Sequence, residues 1–308
     1  MLKHLVERMT AAPLVGVDVG SATLKVVGLA ASPDGRVVLR HGAVAPVDHD
    51  RAGALKRLCR EAGIAGAQAA VGVAAPQVVV KPFAFPVMPR KELHNAIQLE
   101  AEQAILNGHS PKEMAIDWHF LASSKGSVRG LLAVVPKTLI AARLDAVKAA
   151  GLKPAVVDVE GLALWNAYWT LVGSREPAPA TVLLVNVGAR TTNVVIAKGP
   201  DELILVRDFE LGALALGNAQ ESDWVAEVRD SLGYARSAGG LRTLNRVVVT
   251  GGGSPADVMR ALKAALPFPA ELWNPLRQIA RDAQSPSFDE AVGPSLAVSV
   301  GLALRQPS

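Results

Sequence analysis

The chain has 308 residues, half of them hydrophobic and 19% charged, a balance that excludes disorder and allows two domains with separate cores. The net charge is +4, but its 32 basic and 28 acidic residues are interspersed without basic blocks or interleaved aromatics, which argues against a nucleic-acid binder. No apolar run approaches the roughly 18 residues of a membrane span, the opening MLKHLVERMT lacks a signal-peptide core, and Cys59 stands alone, so a cytosolic chain without internal disulfides or cysteine metal clusters is expected.

Residues 2–9 place Leu2, Leu5, Val6 and Met9 on one helical face, which reads as a short arm, frayed or docked. Strands are expected over 14–19, 23–30 and 37–47, the last two joined by the turn Ser32-Pro33-Asp34-Gly35. A helix over 51–62, with Asp50 as N-cap and Gly63 as its stop, and a strand over 69–75 complete a half-domain. Residues 78–151 interrupt it as an inserted subdomain: a strand over 78–85, a helix over 90–106 behind Pro89, strands over 115–121 and 128–135, and a helix over 137–150. A strand over 155–159 precedes a helix over 161–171, whose Trp165 and Trp169 read as core. The Pro-rich run 173–179 separates a first lobe, 1–172, from a second, 180–308. The second lobe shows strands within 183–195, then 203–209, a Gly/Asn loop, a helix over 223–237 and a strand over 246–250. After the turn Gly251-Gly252-Gly253, Ser254 and Asp257 form a capping box for a helix reaching Leu266. An Ala/Gly-rich helix over 294–304 is suited to close packing at the lobe interface.

One pattern occurs twice. VGVDVGSATLKVV, from Val15, and LLVNVGARTTNVV, from Leu183, are both an apolar strand ending at a glycine, a turn with small hydroxyl residues, and a second β-branched strand. Gly20 and Gly188 let the backbone bend and its amides approach an anion, while Ser21, Thr23, Thr191 and Thr192 offer hydroxyls. Two copies of one hairpin plus the glycine turn at 251–253 predict an α/β protein of two homologous lobes with a nucleotide between them.

These elements resemble the actin-like ATPase superfamily. Asp18-Val-Gly20-Ser21 with Lys25 looks like its first phosphate motif, Asn186-Val-Gly188 with Thr191 like its second, and Gly251-Gly252-Gly253 like its adenosine motif. Within it the chain most resembles the type IV pilus assembly protein PilM family, through VGVDVGSATLKVVGL, QLEAEQAI, AVVPKTLIAARLDAVKAAGLKPAVVDVEGLAL and VGPSLAVSVGLAL. The resemblance implies an actin-like fold, with an inserted subdomain in the first lobe and a reduced second lobe. It implies a cytoplasmic scaffold at the inner membrane, holding the cytoplasmic tail of a PilN-like membrane protein near that insert, together with other pilus components and the assembly ATPase. It further implies ATP and magnesium: Asp18 holding the ion through water, Ser21, Thr23 and Lys25 at the phosphates, Gly188 and Thr191 at the terminal phosphates, and Gly251 to Gly253 beneath the adenosine.

Two departures bear on activity. Asn186 replaces the usual aspartate, so hydrolysis should be slow, and between Gly212 and Trp224 several nucleotide-covering helices are replaced by a loop. Glu160 reads either as a carboxylate that orients water or as a structural acid at a strand end. Two other readings stand beside the scaffold: an active ATPase of the same fold, and a type II secretion GspL-like scaffold.

Overall fold

The computed structural model describes residues 13–105, 109–123, 126–173, 180–253 and 255–305. The arm at 2–9, most of the boundary run and Ser254 of the expected capping box lie outside them.

Each half of the molecule is built on the same five-stranded arrangement. In the first, β1 (Val15–Val19), β2 (Thr23–Ala31) and β3 (Val37–Pro46) form an antiparallel meander, and β4 (Gln68–Val73) and β8 (Lys153–Val159) lie parallel to β1, in the order β3-β2-β1-β4-β8. In the second, β9 (Thr181–Val187), β10 (Thr192–Lys198) and β11 (Glu202–Phe209) form the meander, and β12 (Arg246–Gly251) and β13 (Ala270–Leu272) run parallel to β9. The central strands β1, β4, β9 and β12 are apolar along nearly their whole length because both their faces are covered, whereas β8 and β13 at the ends of the parallel arrays are partly exposed. Val185 and Val187 enter one core with α5 (Glu221–Ser237) and α6 (Pro255–Ala265), while Val182 and Leu184 enter another with α4 (Glu160–Leu171).

Residues 79–149 carry β5 (Val79–Pro86), α2 (Arg90–Ala104), β6 (Met114–Ser123), β7 (Ser127–Pro136) and α3 (Lys137–Ala149). Strand β5 pairs with β11 at Val206↔Val80, so β5, β7 and β6 extend the second half's sheet to eight strands, with β6 at its outer edge. The open edge of β8 ends the other sheet.

Helix α1 (Arg51–Glu61) is capped as expected, Gly53 N donating to Asp50 Oδ1 at 2.9 Å, and buries Leu55, Leu58 and Cys59. Burial raises the Cys59 thiol to about 11, which keeps it protonated and unreactive. The closing helix is shorter than expected. Residues 293–296 form a 3₁₀ turn, with Pro294 in a first turn that needs no N–H from it, and α7 (Ala297–Ala303) follows.

Small residues bring α7 against its neighbours. A Cβ on Gly301 would lie 1.9 Å from the Ala163 carbonyl oxygen of α4, and one on Gly16 of β1 would lie 1.9 Å from the Ser299 carbonyl oxygen. Backbone therefore touches backbone on both sides of α7.

Candidate functional site

The inner feet of both hairpins carry paired polar residues at matching register positions. In the first, Asp18 faces Lys25 across the β1–β2 ladder, and the Lys25 ammonium donates to Asp18 Oδ2 at 2.8 Å with both side chains buried. In the second, the same positions hold Asn186 and Asn193. Asn186 Nδ2 donates to Asn193 Oδ1 at 2.6 Å, and Asn193 Nδ2 donates to Asp208 Oδ1, one strand further over, at 2.8 Å. Asp208 Oδ2 accepts the Ala75 N–H at 3.1 Å, from the link between β4 and β5. A carboxylate on the second sheet thus holds backbone that follows the first.

Glu160 opens α4 between these groups. It lies flat on β4 because Gly72 has no side chain: a Cβ there would meet Glu160 Cγ at 2.8 Å. Burial and the charges of Asp18 and Asp208 push its carboxyl up to about 8, against the opposing pull of Arg143 and Lys25. Burial likewise raises Asp208 to about 7, opposed by its bonds from Asn193 and Ala75. Asp18, Lys25, Glu160 and Asp208 therefore form one electrostatic unit at the junction of the two sheets, with Asn186 joined to it by hydrogen bonds.

The glycine turn lies beside the second hairpin. Gly251 has φ +111°, and a Cβ on it would stand 2.3 Å from the Val187 carbonyl oxygen, while Gly253 N donates to that same oxygen at 3.0 Å. The segment between Gly212 and Trp224 forms a 3₁₀ turn, Ala213–Ala215, and α5 begins at Glu221. Its amides bind the hairpin: Ala213 N donates to Gly188 O at 2.8 Å and Leu214 N to Ala189 O at 3.1 Å. Ser21 is exposed, and Thr23 and Thr191 are half-buried at their turns beside Gly20 and Gly188.

Thr192 does not offer its hydroxyl to an anion as the motif suggested. It is fully buried, donates to Leu211 O at 2.7 Å and receives the Trp224 indole N–H at 3.0 Å, so it anchors that segment to β10. Asp208, Asn193 and Arg143 were not singled out from the sequence. Asn193 was findable by carrying the hairpin repeat forward to the position that matches Lys25. Asp208, a lone acid in the apolar strand LILVRDF, gave a weaker signal.

A groove of about 510 Å³ lies between the two open sheet edges. Trp118, His119 and Leu121 of β6 line one wall, and Asp158 of β8, Trp165 of α4 and Arg305 stand opposite. Asp158 is buried, and its Oδ2 lies 3.0 Å from Arg305 Nε but off the N–H direction, so it forms an ion pair without an aligned hydrogen bond. Burial raises its carboxyl above the usual carboxylate range despite Arg305 and the bond from Val159 N. Among the described residues, no helix is long and apolar enough to cross a membrane, and no group of three or more His, Cys, Asp or Glu could hold a metal ion directly.

Two sheets that share one five-strand order, each led by a hairpin with a glycine bend and joined through α4 and α7, define an actin-like fold. The chain belongs to the type IV pilus assembly protein PilM family, whose model matches residues 16–222. It is similar in structure to a PilM-PilN type IV pilus biogenesis complex, with a TM-score of 0.79 and 24% identity over 95% of this chain and 98% of that one. It is also similar to the cytoplasmic domain of EpsL, an inner-membrane component of the type II secretion system of Vibrio cholerae, with a TM-score of 0.50 and 14% identity over 95% of each chain. No curated protein matches the sequence.

Proposed function

We propose that this chain is a scaffold of type IV pilus assembly that holds the cytoplasmic tail of a PilN-like membrane protein in the groove between β6 and β8, at the inner face of the inner membrane. The groove carries this reading. Its walls mix apolar residues such as Trp118, Leu121 and Trp165 with the charged Asp158 and Arg305, its two flanking strands are sheet edges, and an extended peptide can add to such an edge while side-chain pockets select its sequence. The similar structure is a complex of PilM with PilN.

A peptide copying the cytoplasmic tail of the PilN-like protein should bind the full chain, and Ala133→Trp, which fills the groove from β7, should weaken it about tenfold or more. Equal affinity for both proteins would move the tail elsewhere, and no binding to the wild type would remove the scaffold reading.

In this reading the two hairpins and the glycine turn take a nucleotide with a hydrated cation between them, and the residues present suit it. A Cβ on Gly20 would lie 3.5 Å from the Lys25 ammonium and 3.7 Å from Asp18 Oδ1, Gly188 bends beside the Thr191 hydroxyl, and the Asn186 Oδ1 accepts no hydrogen bond from any described residue. Asp18 would hold the magnesium ion through water, Ser21, Thr23, Lys25, Gly188 and Thr191 would meet the phosphates, and Gly251 to Gly253 would pass under the adenosine. The ion would supply positive charge against the phosphate oxygens. Affinity is weak in this reading, because only the 3₁₀ turn at Ala213–Ala215 and the loop to α5 stand where the actin-like resemblance leads one to expect covering helices, and turnover is slow, because Asn186 brings no charge. In single-turnover measurements Asn186→Asp should hydrolyse ATP at least about tenfold faster than the wild type. Brisk hydrolysis by the wild type would overturn the role of position 186 in slowing turnover.

A further inference from the structure

We infer that Asp208 is a positioning residue which, acting through Asn193, turns the carboxamide of Asn186 so that its oxygen rather than its NH₂ group faces the cleft, keeping an oxygen acceptor where the family pattern places an aspartate. This rests on the reading of the cleft as a nucleotide site.

The argument is one of donors and acceptors along a row. Residues 186, 193 and 208 are lateral neighbours on β9, β10 and β11 and project on one face, since their side chains bond to one another. An ionised carboxylate only accepts hydrogen bonds, and Asp208 accepts two: the Ala75 amide holds Oδ2, leaving Oδ1 for the Asn193 side chain. Asn193 must therefore turn its NH₂ toward Asp208 and its oxygen toward Asn186. Asn186 must in turn give its NH₂ to Asn193. The amide of Asn186 has one remaining strong acceptor, and it points away from the row.

Burial falls off in the same direction. Asp208 is 5% exposed and Asn193 2%, whereas Asn186 is half-buried, so the charge is sealed inside and only the end of the relay meets the cleft. A neutral oxygen can accept a hydrogen bond from a water on a hydrated cation, as a carboxylate would, without contributing charge. Outer-shell groups that orient such acceptors typically change metal affinity about 10- to 100-fold when removed. Replacing Asp208 by asparagine removes the direction of the row, because the new amide can donate as well as accept.

The test has two readouts, both at pH 8, above the value of about 7 to which burial raises Asp208. In the nucleotide-free protein, the side-chain amide signals of Asn186 and Asn193 should be dispersed and slow to exchange, and Asp208→Asn should shift both and speed their exchange. In calorimetric titrations with ATP, with and without magnesium, the wild type should bind more tightly with the ion. Asp208→Asn and Asn193→Ala should each lose about tenfold or more of that gain. Asn186→Asp added to Asp208→Asn should restore it, because a carboxylate presents an oxygen whichever way it turns, and a merely structural Asp208 would not be rescued in this way. Unchanged amide signals and an unchanged magnesium gain in Asp208→Asn would overturn the relay alone. Failure of the wild type to bind ATP in either condition would overturn the nucleotide reading, and with it any role for Asn186 toward a hydrated cation.

Discussion

Gly301→Ala is expected to lower the stability of the fold by about 3 kcal/mol or more, although it adds a single methyl group to a helix. The new Cβ would stand 1.9 Å from the Ala163 carbonyl oxygen and 2.5 Å from its carbonyl carbon. Ordinary contact begins near 3.4 Å, so α7 or α4 must move by more than an ångström. Neither can move easily. On its other side α7 is pressed on β1, where Gly16 gives the Ser299 carbonyl the same close approach, and both obstacles are main chain that no rotamer change can clear. Gly233→Ala is the control. It lies exposed in α5 with no atom within 4 Å of its added Cβ, and it should gain up to about 1 kcal/mol from helix propensity. Urea denaturation of the two variants should move the midpoint in opposite directions. A loss below about 1 kcal/mol for Gly301→Ala would mean that the contact between α4 and α7 yields readily.

The duplicated hairpin was legible because its signals are local. Alternating apolar residues give strands, and a glycine at the same place in each copy gives the bend, so the meander of β1 to β3 could be transferred to β9 to β11. The pairing of β5 with β11 was not legible. It rests on a single pair of facing residues, Val206 and Val80, and an edge strand chooses its neighbour by tertiary geometry that no sequence period encodes. Strand β13, three residues long, is too short to show alternation. The site divides in the same way. Asp18, Gly20, Gly188 and the glycine turn announce themselves by residue type in a turn. The acid of the second sheet does not, because Asp208 matters only through Asn193 and Ala75, which are distant from it in the chain.

Raising the pH from about 5 to 9 should weaken the fold, opposite in direction to ordinary acid denaturation. Glu160 and Asp208 are held near 8 and 7 by burial, far above the values of 4.5 and 3.8 that the same groups have when free in water. Between those limits the native protein keeps protons that the unfolded chain has released. Their contribution is complete below the unfolded values, declines as the pH climbs, and is gone once both carboxyls ionise in place. Each unit of difference corresponds to about 1.4 kcal/mol, and because the two groups repel each other the combined loss should be on the order of 4 kcal/mol. Asp158, also raised by burial, adds to the loss, whereas Asp34, Asp282, Glu290 and Glu221, all with lowered values, act in the opposite sense, but their influence falls below pH 5. Glu160→Gln keeps the shape of the side chain and removes its charge, so it should raise the urea midpoint at pH 9, change it little at pH 5, and flatten the slope between them. A midpoint that rises with pH in the wild type, or a slope that Glu160→Gln leaves untouched, would mean that Glu160 is already ionised at neutral pH and compensated by Lys25 and Arg143.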